Sequence, residues 1–198
     1  MTTAMPLESI PATRPSDARE RELLARIAAR DRQAMREFYL IYHRRLARFL
    51  SRLTSRYEVV EEIINDTLVV VWQKAADFRG DSRVSTWIIG IAYRRGLKSL
   101  RAERRADESM QMPLPRELCV NDESAAHAEA EDWLGRALNG LPTEQRAVLE
   151  LTYYLGYSCE EIAAIMECPV NTVKTRMFHA RQKLRVALPA LAKPQGET

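Results

Sequence analysis

Asn171, Thr175, Phe178 and Gln182 fall together when the segment from Val170 to Leu188 is wound as a helix at about 100° per residue. Lys174 and His179 flank them, and Arg176, Arg181, Lys183 and Arg185 lie further round. No acidic residue occurs from Val170 to Leu188. Short polar groups can read base edges in a DNA major groove, while arginines hold phosphates. An aromatic ring such as Phe178 has no reason to sit on a merely solvated face. The opposite side carries Val173, Met177, Ala180 and Leu184, a narrow apolar stripe that suits a core.

A second, shorter helix must position this one. Ser158 and Glu161 have capping-box spacing, and Ile162, Ala163, Ile165 and Met166 give the helix its apolar side. Glu167-Cys168-Pro169 then breaks it, since the residue before a proline is disfavoured in a helix. Two short helices and a tight turn make a helix-turn-helix. Upstream, Trp133, Leu134, Ala137, Leu138 and Leu141 pattern one supporting helix. Pro142-Thr143 starts another, with Val148, Leu149 and Leu151.

A second constellation lies in the first half. Phe78-Arg79-Gly80-Asp81-Ser82 reads as a loop, followed by a helix from about Val84 to Arg105. Trp87 stands at its head, and Arg94, Lys98, Arg101 and Arg105 form a cationic stripe. Basic residues interleaved with Phe78, Trp87 and Tyr93 suit nucleic acid with unstacked bases: rings stack on bases and arginines track the backbone. Before that loop, Ser55 and Glu58 have capping-box spacing and open a helix through about Ala75. Val60, Ile63, Ile64, Thr67, Val70 and Val71 share its core side. Its other side holds Glu61, Glu62, Asn65, Asp66 and Gln73 together with Val69 and Trp72. Acidic groups around an apolar centre resemble a protein-binding surface. Trp72 either anchors that surface or folds back onto the first helices. Those are a helix from about Asp17 to Ala29 and one capped by Asp31, with Ala34, Phe38, Ile41, Leu46, Phe49 and Leu53 at helical spacing.

The chain has 198 residues, 46% of them hydrophobic and 29% charged, which suits a globular protein of one large or two small domains. The net charge of +3 is segregated. Arg79 to Arg105 holds eight Lys/Arg against Asp81 and Glu103, and Asp107 to Asp132 holds eight Asp/Glu against Arg116. Two basic blocks around an acidic one suggest two contacts with a polyanion and a spacer that avoids it. No stretch is long and apolar enough for a membrane span, and the start does not read as a secretory signal, so a cytoplasmic location is expected. Cys119, Cys159 and Cys168 form no C-x-x-C pair and read as incidental reduced thiols. No metal site, cofactor or catalytic constellation is expected. Phosphate-binding glycine loops, ligands at metal spacing and a nucleophile beside a base are all missing from the pattern. The expected fold is all-α: two small helical domains joined by a flexible acidic linker, the second containing the helix-turn-helix. Its divisions are a disordered tail over 1–18, a domain over 19–105, a linker over 106–121, a second domain over 122–188 and a tail over 189–198.

With these pieces placed, the chain resembles the extracytoplasmic-function (ECF) group of bacterial RNA polymerase sigma factors. FRGDS…TW and LP…YS-x-EEIA…CPVNTVKTRMF-x-AR carry the resemblance, over roughly Asp31 to Arg105 and Glu131 to Arg185. It implies a non-enzymatic initiation factor that binds core polymerase, directs it to promoters and assists their opening, for a stress or envelope response. By that resemblance, Glu62, Asn65, Asp66, Val69 and Trp72 would dock on the clamp helices of the largest polymerase subunit. Phe78, Arg79, Ser82, Trp87, Tyr93, Arg94, Lys98 and Arg101 would serve the minus-ten element. Asn171, Thr172, Lys174, Thr175, Arg176, Phe178, His179, Arg181 and Gln182 would read the minus-thirty-five element. An anti-sigma factor is an expected partner, and insertion in a membrane is not expected. Two positions depart from the group: Arg94 stands where relatives often carry Asn, and Thr152-Tyr153 where they often carry Arg-Glu. The rival reading is a stand-alone helix-turn-helix regulator. Ala106 to Asn121 would span roughly 50–55 Å if extended, against ~34 Å for a duplex turn. The two domains are therefore expected to hold no fixed mutual orientation when free, unless an inhibitor clamps them.

Overall fold

The computed structural model describes residues 17–54, 56–110, 135 and 137–191. Among them every regular element is helical. In order they are α1 (Asp17–Ala28), α2 (Arg32–Leu50), α3 (Tyr57–Lys74) with a 3₁₀ turn at Ala75–Asp77, and α4 (Val84–Met110). After the acidic segment come α5 (Thr143–Leu149), a π-helical turn (Glu150–Tyr154), α6 (Cys159–Met166) and α7 (Val170–Leu191).

Local chemistry sets these bounds. Asp31 caps α2 by accepting from the amides of Gln33 and Ala34 at 2.8 and 3.1 Å. That satisfies two of the donors every helix start leaves open. α3 begins differently from expectation. Its N-cap is Arg56, with no side-chain cap, and Ser55 lies outside the described residues. α4 runs five residues past the expected end at Arg105. Ala106 to Met110 contains no breaker, and the first proline comes at Pro113. The rest of the linker, Cys119, Trp133, Leu134, residues 1–16 and residues 192–198 fall outside the described residues; of the expected tails, Asp17 and Ala18 already belong to α1, and α7 runs three residues past the expected domain end at Leu188.

The first domain packs α1 to α4 around Leu24, Ile27, Phe38, Tyr42, Leu46 and Ile64. Val60, Ile63, Ile64, Thr67 and Val71 are buried as the wheel requires, Val70 only half so, and Leu68 joins them. The second domain packs α5 to α7 around Leu151, Ile162, Ile165, Val173 and Ala180. Contrary to the expectation of independent domains, the two are packed together, and their buried residues form one continuous cluster. α6 lies across α4 in the most extensive helix pairing among the described residues. Apolar surface left over on both domains explains why: removal from water is favourable whichever domain supplies the partner.

Candidate DNA and polymerase interfaces

The helix-turn-helix is built as its sequence reads. The Ser158 Oγ accepts from the Glu161 amide at 3.2 Å, and the Glu161 carboxylate accepts from the Ser158 amide at 2.9 Å. Glu167 ends α6 in the left-handed region at φ 51°, which turns the chain into Pro169 and α7. Ser158→Ala should lower stability by about 1 kcal/mol, visible as a fall in Tm; no change would mean the cap is dispensable.

α7 is two-sided. Val173, Met177 and Ala180 are buried, with Leu184 packed beside them. Asn171, Lys174, Thr175, His179, Arg181 and Gln182 are exposed, and Phe178 is 58% exposed. Thr172 and Arg176 are half-buried at the flanks; the Arg176 guanidinium reaches the Cys168 sulfur at 3.7 Å. Phe178 and His179 meet edge-on at 5.6 Å between ring centres. All nine residues expected at the minus-thirty-five element therefore belong to one helix, seven on its open face. Thr152-Tyr153 lies on the π-helical turn beside it. Thr152 donates to the Val148 carbonyl at 2.8 Å, whereas Tyr153 is exposed and its hydroxyl receives a hydrogen bond from Arg181.

The outer face of α3 brings Glu62, Asn65, Asp66 and Val69 together, all exposed, Val69 at 52%. Trp72 is half-buried and turned toward the first helices. Arg30 stacks over its ring at 5.4 Å and donates to its carbonyl at 2.9 Å. Asp66 is ion-paired with Arg95 of α4. Glu61, next in line, pairs with His43 of α2 at 3.2 Å.

The expected minus-ten residues separate into two groups. Phe78 and Trp87 meet at 5.4 Å between ring centres, and Arg21 sits over Phe78 at 5.8 Å. Arg21 also donates to the Ser82 carbonyl at 3.2 Å. Arg21 and Phe78 line a small open cleft with Leu24, Arg79 and Gly80, and Gly80, at φ 80°, lets the loop turn there. Further along α4, Lys98, Arg94 and Arg101 are exposed, but the last two face carboxylates of the second domain. Tyr93 is a correction: it is 2% exposed and lies in the seam with the second domain, so its ring cannot stack on a base in this arrangement. Its phenol is pushed up by that burial first and by Glu144 second.

Sequence reasoning passed over Glu150. It is 5% exposed and pairs with Arg52 of the first domain at 3.5 Å, while Arg52 stacks 3.6 Å over the Tyr154 ring. A lone acid inside the apolar run AVLELTYYL was the available signal. Burial outweighs Arg52 and lifts the carboxyl above its ordinary value of 4.5. A group that holds its proton more tightly when folded favours the fold as pH falls. Its effect is lost as pH rises from the unfolded value through the raised one. Buried Glu20 is shifted the same way by the same cause. Glu150→Gln should therefore reduce, without abolishing, the fall of Tm with pH just above 4.5. An unchanged slope would place the titration elsewhere.

The Sigma-70 region 2 family matches residues 38–106, and Sigma-70, region 4 matches residues 131–184. The ECF RNA polymerase sigma factor SigM of Mycobacterium tuberculosis is 36% identical over 82% of this chain and 81% of its own. This chain belongs to the ECF sigma factors. RNA polymerase sigma-H factor of Pseudomonas aeruginosa is 28% identical over 87% of this sigma factor and 95% of that one. Two solved structures have the same fold. Sigma factor RpoE in complex with the anti-sigma factor NepR, from Bartonella quintana, has a TM-score of 0.66 at 25% identity, covering 78% of this chain and 96% of that one. CnrH in complex with the cytosolic domain of CnrY has 0.65 at 25% identity, covering 87% and 98%. Sigma factors bind core polymerase and promoter DNA and are non-enzymatic. Among the described residues no helix is long and apolar enough to cross a membrane, and no group of side chains could hold a metal ion.

Proposed function

We propose that this sigma factor divides promoter recognition among three surfaces. The α3 face at Glu62, Asn65, Asp66 and Val69 docks on the clamp helices of the largest polymerase subunit, with Trp72 bracing it from below. The Phe78–Trp87 corner and the cationic side of α4 hold the unpaired minus-ten strand. The open face of α7 reads the minus-thirty-five duplex. The observation that carries this reading is α7 itself. A helix seated on a core by Val173, Met177 and Ala180 turns an amide, a hydroxyl, a ring and cations outward, with no acidic residue among them. Such a surface offers base-edge partners at its centre and phosphate partners at its rim.

The test is chain-dependent transcription by core polymerase with templates altered in one element at a time. Variants at Lys174 or His179 of α7 should change preference only at the upstream element, and variants of Arg79 or Lys98 only at the downstream one. A crossed result would overturn the assignment. Both solved structures named above hold an anti-sigma partner, and we infer that one holds this chain as well, in a response to stress or envelope damage. It would act in the cytoplasm, where promoter and polymerase lie. Failure of every anti-sigma candidate encoded beside its gene to suppress transcription would count against this.

A further inference from the structure

The turn from α1 into α2 carries an unusual residue. α1 ends in a complete Schellman motif: the Arg30 amide donates to the Ile27 carbonyl at 2.9 Å, and the Asp31 amide donates to the Arg26 carbonyl at 3.0 Å. The motif needs one residue in the left-handed region, and Arg30 supplies it at φ 67°. Glycine is the usual occupant, because a Cβ is crowded there. The turn is held without the Arg30 side chain, since Asp31 caps α2 and also pairs with Arg26 at 2.7 Å. Glycine would therefore serve the backbone better, and the reason for an arginine lies in what its side chain touches.

That side chain reaches Trp72. Its guanidinium donates to the Trp72 carbonyl at 2.9 Å and lies 5.4 Å from the centre of the ring. The carbonyl is one of the last in α3, which have no partner within their own helix, and a cation suits that negative helix end. α3 stops two residues on, at Lys74, and the 3₁₀ turn then leads into the Phe78 loop. Trp72 stands one turn from Val69, so its half-buried ring borders the docking face of α3.

We propose that Arg30 is a positioning residue for core polymerase. It fixes the Trp72 ring and the end of α3, so that Asp66 and Val69 meet the polymerase beside a rigid edge. The inference rests on the docking reading above and adds to it a residue from outside α3. The contact joins positions 42 residues apart in the chain, so it sets an arrangement that α3 cannot set by itself. A strained backbone kept for the sake of one side chain fits such a role.

Arg30→Gly, made in the full chain, separates positioning from stabilisation, because glycine relieves the left-handed strain while the side chain is lost. Its Tm and helical circular dichroism should stay close to wild type, yet its affinity for core polymerase should fall severalfold. The indole N–H resonance of Trp72, identified by its loss in Trp72→Phe, should shift and broaden. Arg30→Lys keeps a cation without the planar fork and should recover part of the affinity. Wild-type affinity or an unmoved Trp72 resonance in Arg30→Gly would overturn the proposal. So would a loss of affinity that travels with lost helical circular dichroism, since Arg30 would then be a folding residue. Asp66→Arg with Val69→Arg tells the two readings apart. If that double variant loses core binding and Arg30→Gly does not, only the role of Arg30 fails. If the double variant binds normally, the docking reading fails and takes that role with it, although the Trp72 resonance would still move.

Discussion

Asp66→Arg combined with Val69→Arg is expected to abolish binding to core polymerase while leaving helical content and Tm close to wild type. Both side chains point outward from α3, Val69 at 52% exposure, and the core side of the helix is untouched. Asp66 contributes an exposed pair with Arg95, and exposed pairs contribute little to stability. A cation in place of the acid reverses the charge presented to the partner, and one in place of Val69 removes the apolar centre. Interface anchors cost about 2 kcal/mol or more when lost, and an uncompensated charge adds to that. Trp72 is left in place because Arg30 rests on its ring, so its truncation would confuse docking with folding. Co-purification of the double variant with core polymerase at wild-type level would remove α3 from the interface.

The second large effect concerns α7. Lys174→Ala and His179→Ala should each alter preference within the minus-thirty-five element by about 1–3 kcal/mol, roughly 5- to 150-fold in affinity. Arg181→Ala should weaken all promoters alike and lower the salt slope by about one. The structure adds a partner to Arg181: it donates to the Tyr153 hydroxyl and lies 5.5 Å above that ring. Tyr153→Phe should therefore reproduce part of the Arg181→Ala effect, and Thr152→Ala should not. Equal loss at every promoter for Lys174→Ala would make it a phosphate contact and move base reading elsewhere on the helix.

The parts legible in the sequence were those fixed by near neighbours. The Ser158 cap, the turn at Glu167, the apolar stripe of α7 and the Asp31 cap depend on spacings of a few residues, and each is present. The orientation of Trp72 was not legible, because the wheel gives a direction but not what stands in it; Arg30, 42 residues away in sequence, decides that. The burial of Tyr93 escaped for a stronger version of the same reason. On α4 it lies with Ile89, Leu97 and Leu100, on another side from the cationic stripe, and what stands over that side, with Glu144, Cys168 and Arg176 nearby, comes from the second domain. The ion pairs of the seam join residues separated by the acidic segment, and no local pattern announces them. Glu150 is intermediate: an acid in an apolar run signals a buried partner but does not name Arg52.

Reconstituted transcription tests most directly whether this chain directs core polymerase to promoters. Core polymerase with this chain should be offered templates randomised upstream of a common reporter, and the transcripts sequenced. The expected products appear only when the chain is present, and their templates share two separated motifs. The upstream motif should change with Lys174→Ala, and all products should vanish with Asp66→Arg/Val69→Arg. A chain that binds duplex DNA by itself yet adds no transcript to core polymerase would contradict the account and restore the reading of a stand-alone regulator.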